Sequence, residues 1–198
     1  MFKVGITGNI GSGKTTVSKV FELLGVPVFY ADDVAKNIMV NDALLMGQIR
    51  EAFGRESYFD NGELNRKHIA GIVFNDEQQL VKLNSLTHPA VFRAFDSWVA
   101  DIHDAAYVLK EAALLFESSS YKMCDKTVMV TAPLDLRIKR VIQRDDISKA
   151  EVESRNARQF DEVKKIELAD YVIKNDESVL VIPQVLKLHQ EFLKLAAQ

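Results

Sequence analysis

The sequence predicts an α/β layered fold around a mainly parallel sheet, and three observations carry that prediction. First, four short apolar runs read as buried strands: Val4 to Thr7, Val26 to Tyr30, Tyr107 to Leu109 and Thr127 to Thr131, with a shorter fifth run at Tyr171 to Ile173. Each is rich in Val, Ile or aromatic residues and too brief for a helix, as strands covered on both faces tend to be. Second, helical patterns separate most of them, and strands alternating with helices build parallel sheets. Third, the spacing is uneven. Residues 8–25 separate the first two runs, whereas 31–106 lie between the second and the third.

Taken in order, the helices have recognisable causes. After the first strand, Val17, Val20, Phe21 and Leu24 fall on one helical face. Gly25 stands where a helix end favours a left-handed residue, and Pro27 follows. The long gap, roughly 35–106, exceeds any single crossover helix and predicts a mostly helical insertion. Within it, Val91, Ala94, Phe95, Trp98 and Ile102 form an apolar stripe, and Pro89 suits the first turn of a helix opening there. A second excursion, 135–167, carries no strand signal. From Arg137 to Lys165 it holds nine Lys or Arg against six Asp or Glu. Ser148 to Glu151 has the form of a capping box, so a helix starts there and runs towards Phe160. Pro183 opens a terminal helix bearing Val185, Leu188, Phe192 and Leu195.

Bulk properties narrow the class. The 198 residues suffice for one substantial core with insertions. A composition of 47% hydrophobic and 27% charged residues is that of a folded globular protein. The formal net charge of −3 provides no general attraction to nucleic acid, so an anionic ligand needs a local cationic cluster. Cys124 is the one cysteine and has no internal disulfide partner, which points to a reducing compartment. Neither a signal-peptide pattern nor a membrane-spanning apolar run is present. The expectation is a cytoplasmic protein without nucleic-acid, membrane or obligate protein partners.

One motif dominates the chemistry. Gly8-Asn9-Ile10-Gly11-Ser12-Gly13-Lys14-Thr15 matches G-x-x-x-x-G-K-[ST] at each fixed position. The glycines let the backbone wrap around a phosphate, and the N–H groups converge at the positive end of the following helix. Lys14 brings a point charge to the β- and γ-phosphates, and the Thr15 hydroxyl is placed to ligate Mg²⁺. An apolar strand before the loop and an amphipathic helix after it supply the context the motif requires. The predicted architecture is thus a P-loop NTPase-like three-layer fold. No N-K-x-D guanine motif follows the later strands, which disfavours a GTPase. A short chain with two insertions, one basic and strand-free, fits a kinase whose lid excludes water from the transferring phosphoryl group.

Beyond the loop, blocks of sequence resemble the dephospho-CoA kinase family. They are Ile6 to Thr16, Ala31-Asp32-Asp33-Val34-Ala35-Lys36, Leu64-Asn65-Arg66 with Ile72-Val73-Phe74, and Thr87-His88-Pro89. Leu114-Leu115-Phe116-Glu117, Lys139 to Asp145 and Ala169 to Asn175 continue the series in the family's order over nearly the whole chain. Three positions depart from the pattern. Tyr30 stands where the family has an acidic residue, Glu111-Ala112-Ala113 lacks a proline, and Arg137 replaces a common glutamine.

The resemblance implies a five-stranded parallel core, a helical CoA-substrate domain and a helical lid. The domains are then 1–34 with 107–134 and 168–198 as nucleotide-binding core, 35–106 as substrate domain and 135–167 as lid. It also implies transfer of the ATP γ-phosphate to the ribose 3′-hydroxyl of dephospho-CoA with Mg²⁺. The alternative is another small-molecule or nucleoside monophosphate kinase. Asp32, just past the second strand at the edge where open α/β sheets bind ligands, is the candidate for orienting the hydroxyl and accepting its proton. Helix capping is the competing role, stronger for Asp33. Arg140 and Arg144, four apart on one helical face, suit phosphate oxygens, with Arg140 grouped with Asp32 and Lys14 as catalytic. Gly8, Gly11, Ser12, Gly13, Lys14, Thr15, Thr16, Arg144 and Asn175 form the expected ATP site, Asn175 following the fifth strand near the adenine. Arg66 and His88 are candidates for substrate binding, against helix capping and turn stabilisation. Glu111 and Glu117 compete for support of the metal.

Overall fold

The computed structural model describes residues 1–74 and 76–198, which divide into two compact units, 1–30 with 102–198 and 31–101. The first holds a five-stranded sheet in the order β2-β3-β1-β4-β5, every neighbouring pair parallel. Its strands are β1 (Phe2–Thr7), β2 (Val28–Tyr30), β3 (Tyr107–Glu111), β4 (Lys126–Thr131) and β5 (Tyr171–Lys174). All five expected strands exist, and their bounds shift for physical reasons. Val26 does not join β2, because its N–H closes the end of α1 (Lys14–Leu23) on the Phe21 carbonyl at 3.1 Å. The Gly25 N–H meets the Glu22 carbonyl at 2.9 Å, completing a Schellman motif. Conversely β3 runs two residues past its apolar part. Glu111 still pairs with Ile6 on one side and Tyr30 on the other, since a strand between two neighbours keeps its ladder whatever its side chains.

Helices α6 (Leu134–Asp145), α7 (Lys149–Ala157), α8 (Glu162–Leu168) and α9 (Val181–Ala196) complete this unit. The capping box at Ser148 and Glu151 is formed, and Pro183 lies in the first turn of α9 where its missing N–H is harmless. Val4, Ile6, Val17, Phe21, Leu109, Val128 and Val130 build the core beneath the sheet. Phe192 of α9 is fully buried and meets the rings of Phe2, Phe21, Tyr107 and Tyr171. Cys124 lies against Gly5, and burial pushes its thiol up to about 11, so it stays protonated at neutral pH. No helix among the described residues is long and apolar enough to cross a membrane.

The second unit is helical: α2 (Ala31–Asn41), α3 (Ala43–Phe53), α4 (Arg66–Val73) and α5 (Glu77–Ala100). Asp42, Asn65 and Asp76 cap α3, α4 and α5 through their side chains. Leu45, Ile49, Phe53, Tyr58, Leu64, Ile69 and Ala90 form its core. The helix expected to open at Pro89 instead begins twelve residues earlier, and Pro89 lies inside it. Proline removes the bond that the Ser85 carbonyl would accept, yet the buried face carrying Thr87, Ala90, Val91 and Phe95 holds the helix continuous. Tertiary packing outweighs the local stop signal.

At the sheet edge, the Asp170 carboxylate accepts from the Thr127 N–H at 2.8 Å, the Thr127 hydroxyl at 2.8 Å and Lys126 Nζ at 3.0 Å. Burial pushes its pKa up, but the bonds from Lys126 and Thr127 outweigh that and hold it below the usual carboxylate range. Replacing Asp170 by Ala is expected to destabilise by about 1–2 kcal/mol near neutral pH, toward the lower end because the carboxylate is partly solvated. The folded value is depressed, so this contribution is complete above the unfolded value of about 3.9 and disappears as pH falls through the folded one. Denaturant unfolding at a series of pH values from 7 downwards checks this: the gap between wild type and Asp170→Ala is widest near neutral pH and narrows progressively below the unfolded value.

Candidate active site

The carboxyl end of β1 delivers the chain into the loop Gly8–Gly13 at the point where successive strands turn to opposite sides of the sheet, with β3 on one flank and β4 on the other. Two glycines are there of necessity. Gly11 has φ +80° and no room for a Cβ against the Arg137 backbone; Gly13 has φ +88° and would collide with Asn175 Nδ2. Helix α1 then starts at Lys14 with Gly13 as N-cap and no side-chain cap. Helices α3, α4, α5, α7 and α8 each have one. The first N–H groups of α1 thus lack both intrahelical and side-chain partners, which leaves them for an anion at the positive end of the helix dipole. Asn9 Oδ1 and Ser12 Oγ are buried polar atoms without a hydrogen bond among the described residues, and both residues line the same hollow.

That hollow has a volume of about 180 Å³ and is walled by the loop, by Lys14, Thr15 and Thr16, and by Arg140 and Arg144 of α6. Three cations therefore face one small cavity. Buried Glu111, at the end of β3, balances them from beneath: its Oε1 lies 3.3 Å from Lys14 Nζ, and its Oε2 accepts from the Thr15 hydroxyl at 3.1 Å. This tells Glu111 and Glu117 apart. Glu117 accepts instead from Lys165 Nζ at 2.9 Å and from the Phe160 N–H at 2.7 Å. A threonine hydroxyl beside a buried carboxylate is a hard-oxygen donor pair, which suits a small divalent cation completing its shell with water and phosphate oxygens.

The guanidinium of Arg140 is held by the Asn175 carbonyl at 3.0 Å and by Glu177 at 3.3 Å. Arg144 is more exposed and is bracketed by Asp145 at 2.7 Å, which also receives Arg155. Asn175 directs its side chain at the loop itself, donating to the Ser12 carbonyl at 2.8 Å. Of the remaining sequence candidates, three belong to the second unit. Asp32 is exposed in the first turn of α2, two residues beyond β2. Its neighbour Asp33 pairs with Lys36 at 2.7 Å. Arg66, the first residue of α4, lines a separate cavity of about 570 Å³ with Val40, Met46 and Leu64. His88 lies on α5, stacked on Phe92, and is not among the residues of that cavity.

Several contributors escaped sequence reasoning because they act through the backbone. Arg137 is nearly buried behind the loop, donating to the Ala132 and Ile10 carbonyls, to Asn156 and to Glu162. Gln159 accepts from the Ile10 N–H at 2.8 Å, and Asn9 donates to the Phe160 carbonyl at 3.0 Å. The segment 135–167 is thereby tied to the phosphate loop. Fully buried Lys165 reaches both Glu117 and the Ala113 carbonyl, the latter at 3.0 Å. Desolvation pulls its pKa down against the opposing pull of Glu117. Ala113 occupies the position where a proline was expected. Its carbonyl also accepts from Gln159 and Thr7, and a proline would present that same group. The only sequence signal for this network was the charge density after Arg137.

Comparison with known proteins assigns this geometry to a family. The profile of the dephospho-CoA kinase family matches residues 2–180. A dephospho-CoA kinase of Bacteroides fragilis is 36% identical over 186 residues, covering 94% of this chain and 90% of the relative. One of Salinibacter ruber is 40% identical over 178 residues, covering 89% of each. A crystal structure from Thermus thermophilus superposes with a TM-score of 0.84 at 32% identity, covering 96% of both chains. A dephospho-CoA kinase structure from Campylobacter jejuni gives 0.70 at 28% identity, covering 97% of both. With its profile match over most of the sequence and relatives of such identity along nearly its full length, the chain belongs to the dephospho-CoA kinase family.

Proposed function

We propose that this protein transfers the γ-phosphate of ATP to the ribose 3′-hydroxyl of dephospho-CoA, giving CoA and ADP. The observation that carries the reading is the cavity in which the uncapped start of α1, Lys14, Arg140 and Arg144 converge. Phosphoryl transfer asks a protein to align two oxygens and spread negative charge, and this arrangement supplies those means. The loop amides and Lys14 hold the β- and γ-phosphates. Arg140, fixed by the Asn175 carbonyl and Glu177, offers a planar fork to the oxygens on which charge develops during transfer. Arg144 adds a more mobile charge. Mg²⁺ is the divalent cation that Thr15, with Glu111 beside it, would hold, and it would supply positive charge to offset the phosphates.

On the acceptor side, Asp32 takes the proton of the attacking hydroxyl, the ribose oxygen bonds to the γ-phosphorus, and ADP leaves with the pair of electrons of the broken P–O bond. Asp32 follows a strand that ends on the sheet edge where β1 delivers the phosphate loop, which supports the role. Unit 31–101 serves as substrate domain, with Arg66 at its cavity and His88 as acceptor contacts. The segment 135–167 acts as lid. The proposed compartment is the cytoplasm.

Asp32→Asn should lower turnover at least about 100-fold, the range of lost base catalysis, with ATP affinity changed less than about twofold. Acceptor-dependent ADP release measures it, and near wild-type turnover removes the assignment. In the same assay a panel of alcohols and nucleoside monophosphates identifies the acceptor, and release driven equally by all of them refutes dephospho-CoA specificity. Arg140→Ala is expected to reduce kcat by about 100-fold or more and Arg144→Ala by less. Glu111→Gln should raise the Mg²⁺ concentration needed for half-maximal rate by about tenfold, read from a metal titration at saturating ATP.

A further inference from the structure

We infer that Asn175 is a positioning residue whose side chain sets the orientation of one phosphate-binding amide while its main chain anchors the catalytic arginine. The inference rests on the assignment of Gly8–Thr15 as a phosphate loop.

Asn175 is the first residue beyond β5, and each of its polar functions with a known partner points to a different element. Its N–H donates to the Thr131 carbonyl of β4 at 2.8 Å, which extends the parallel ladder and fixes the residue to the sheet. Its carbonyl accepts from Arg140 Nη1 at 3.0 Å. Its side-chain Nδ2 donates to the Ser12 carbonyl at 2.8 Å and stands over Gly13, in the place a Cβ there would need.

The bond to Ser12 has a directional consequence. Every peptide bond in the described chain is trans and close to planar, so the carbonyl of Ser12 and the N–H of Gly13 point in opposite directions. Holding that carbonyl towards Asn175 turns the Gly13 N–H to the other side. Gly13 lines the cavity. Gly13 has a positive φ and no side chain, so the peptide preceding it is among the easiest in the loop to rotate. The Ser12 N–H bond to the Asn9 carbonyl and the Val17 N–H bond to the Gly13 carbonyl hold the flanking peptides, and a bond from outside the loop holds this one. Asn175 provides that bond from the rigid end of β5 and so preorganises a donor before phosphate arrives. Glycine at position 13 is then required twice, by its dihedral angles and by the amide group above it.

This predicts a ligand dependence that a base contact would not produce. An asparagine reading adenine would discriminate ATP from GTP and ignore a ligand without a base. An asparagine acting through the loop would affect anything that carries a polyphosphate. Isothermal titration of wild type, Asn175→Ala, Asn175→Ser and Asn175→Asp with Mg²⁺ and inorganic tripolyphosphate, ATP or GTP separates the two. The expected result is that Asn175→Ala weakens tripolyphosphate and ATP by the same factor, about tenfold, with the ATP-to-GTP ratio unchanged. Asn175→Asp should be weaker still, about 100-fold, since an acceptor would face the Ser12 carbonyl and a negative charge would join the phosphate site. The KM for dephospho-CoA should not change. Fitted stoichiometry counts folded molecules, so a poorly folding variant still reports an affinity, and Asn175→Ser gives a milder second case. Unchanged tripolyphosphate affinity in the Ala and Ser variants, or a shift confined to the ATP-to-GTP ratio, overturns the inference. A wild-type protein that fails to bind tripolyphosphate would sink the phosphate-loop reading, and this inference with it.

Discussion

A loop that binds phosphate through its own amides must keep those amides without partners in the protein, and that requirement organises the rest of the nucleotide-binding unit. Unsatisfied N–H groups at a helix start are ordinarily capped, and five other helices of this chain are capped by side chains. At α1 the cap is missing and the loop must hold its shape without it. The surrounding structure supplies that shape from outside. Arg137 presses its backbone against Gly11, Asn175 covers Gly13, and Gln159 and the Phe160 carbonyl bond the backbone of Ile10 and the side chain of Asn9. Each support comes from an element distant in sequence, so the loop is rigid only in the folded chain.

Charge is arranged by the same logic. Lys14, Arg140 and Arg144 around one cavity would repel each other if left uncompensated. Glu111 relieves this from the floor by meeting Lys14 and Thr15 together, while Glu177 and Asp145 do so at the rim. Rim pairs are solvated and contribute little to stability, so in the proposed transfer the arginines can exchange a carboxylate for a phosphate. The buried pair of Lys165 and Glu117 is of another kind. With desolvation opposing the charge on Lys165, its worth lies in fixing where α8 and the Ala113 carbonyl meet, because removal of either partner would leave the other charged and enclosed.

The helical unit follows different rules. Its core of Leu45, Ile49, Phe53, Ile69 and Ala90 is apolar and the starts of α3, α4 and α5 are capped by Asp or Asn, so these helices follow local preference. The exception is Pro89 within α5. A helix that tolerates proline at mid-length does so because its buried face outweighs one lost hydrogen bond.

What the sequence determined by itself was the part of the design written in short-range pattern. Five apolar runs became five parallel strands, the G-x-x-x-x-G-K-[ST] spacing placed Lys14 and Thr15 at a helix start, and Ser148 with Glu151 formed their box. Dihedral preference and hydrophobic periodicity act over a few residues, so these features survive reading one window at a time. Tertiary structure alone decided which distant groups meet. Nothing near residue 175 announces Ser12, nothing near 165 announces Glu117, and Glu111 was told apart from Glu117 only when β3 was laid beside β1. A hydrogen bond between elements far apart in the chain depends on strand order and register, which no local pattern encodes.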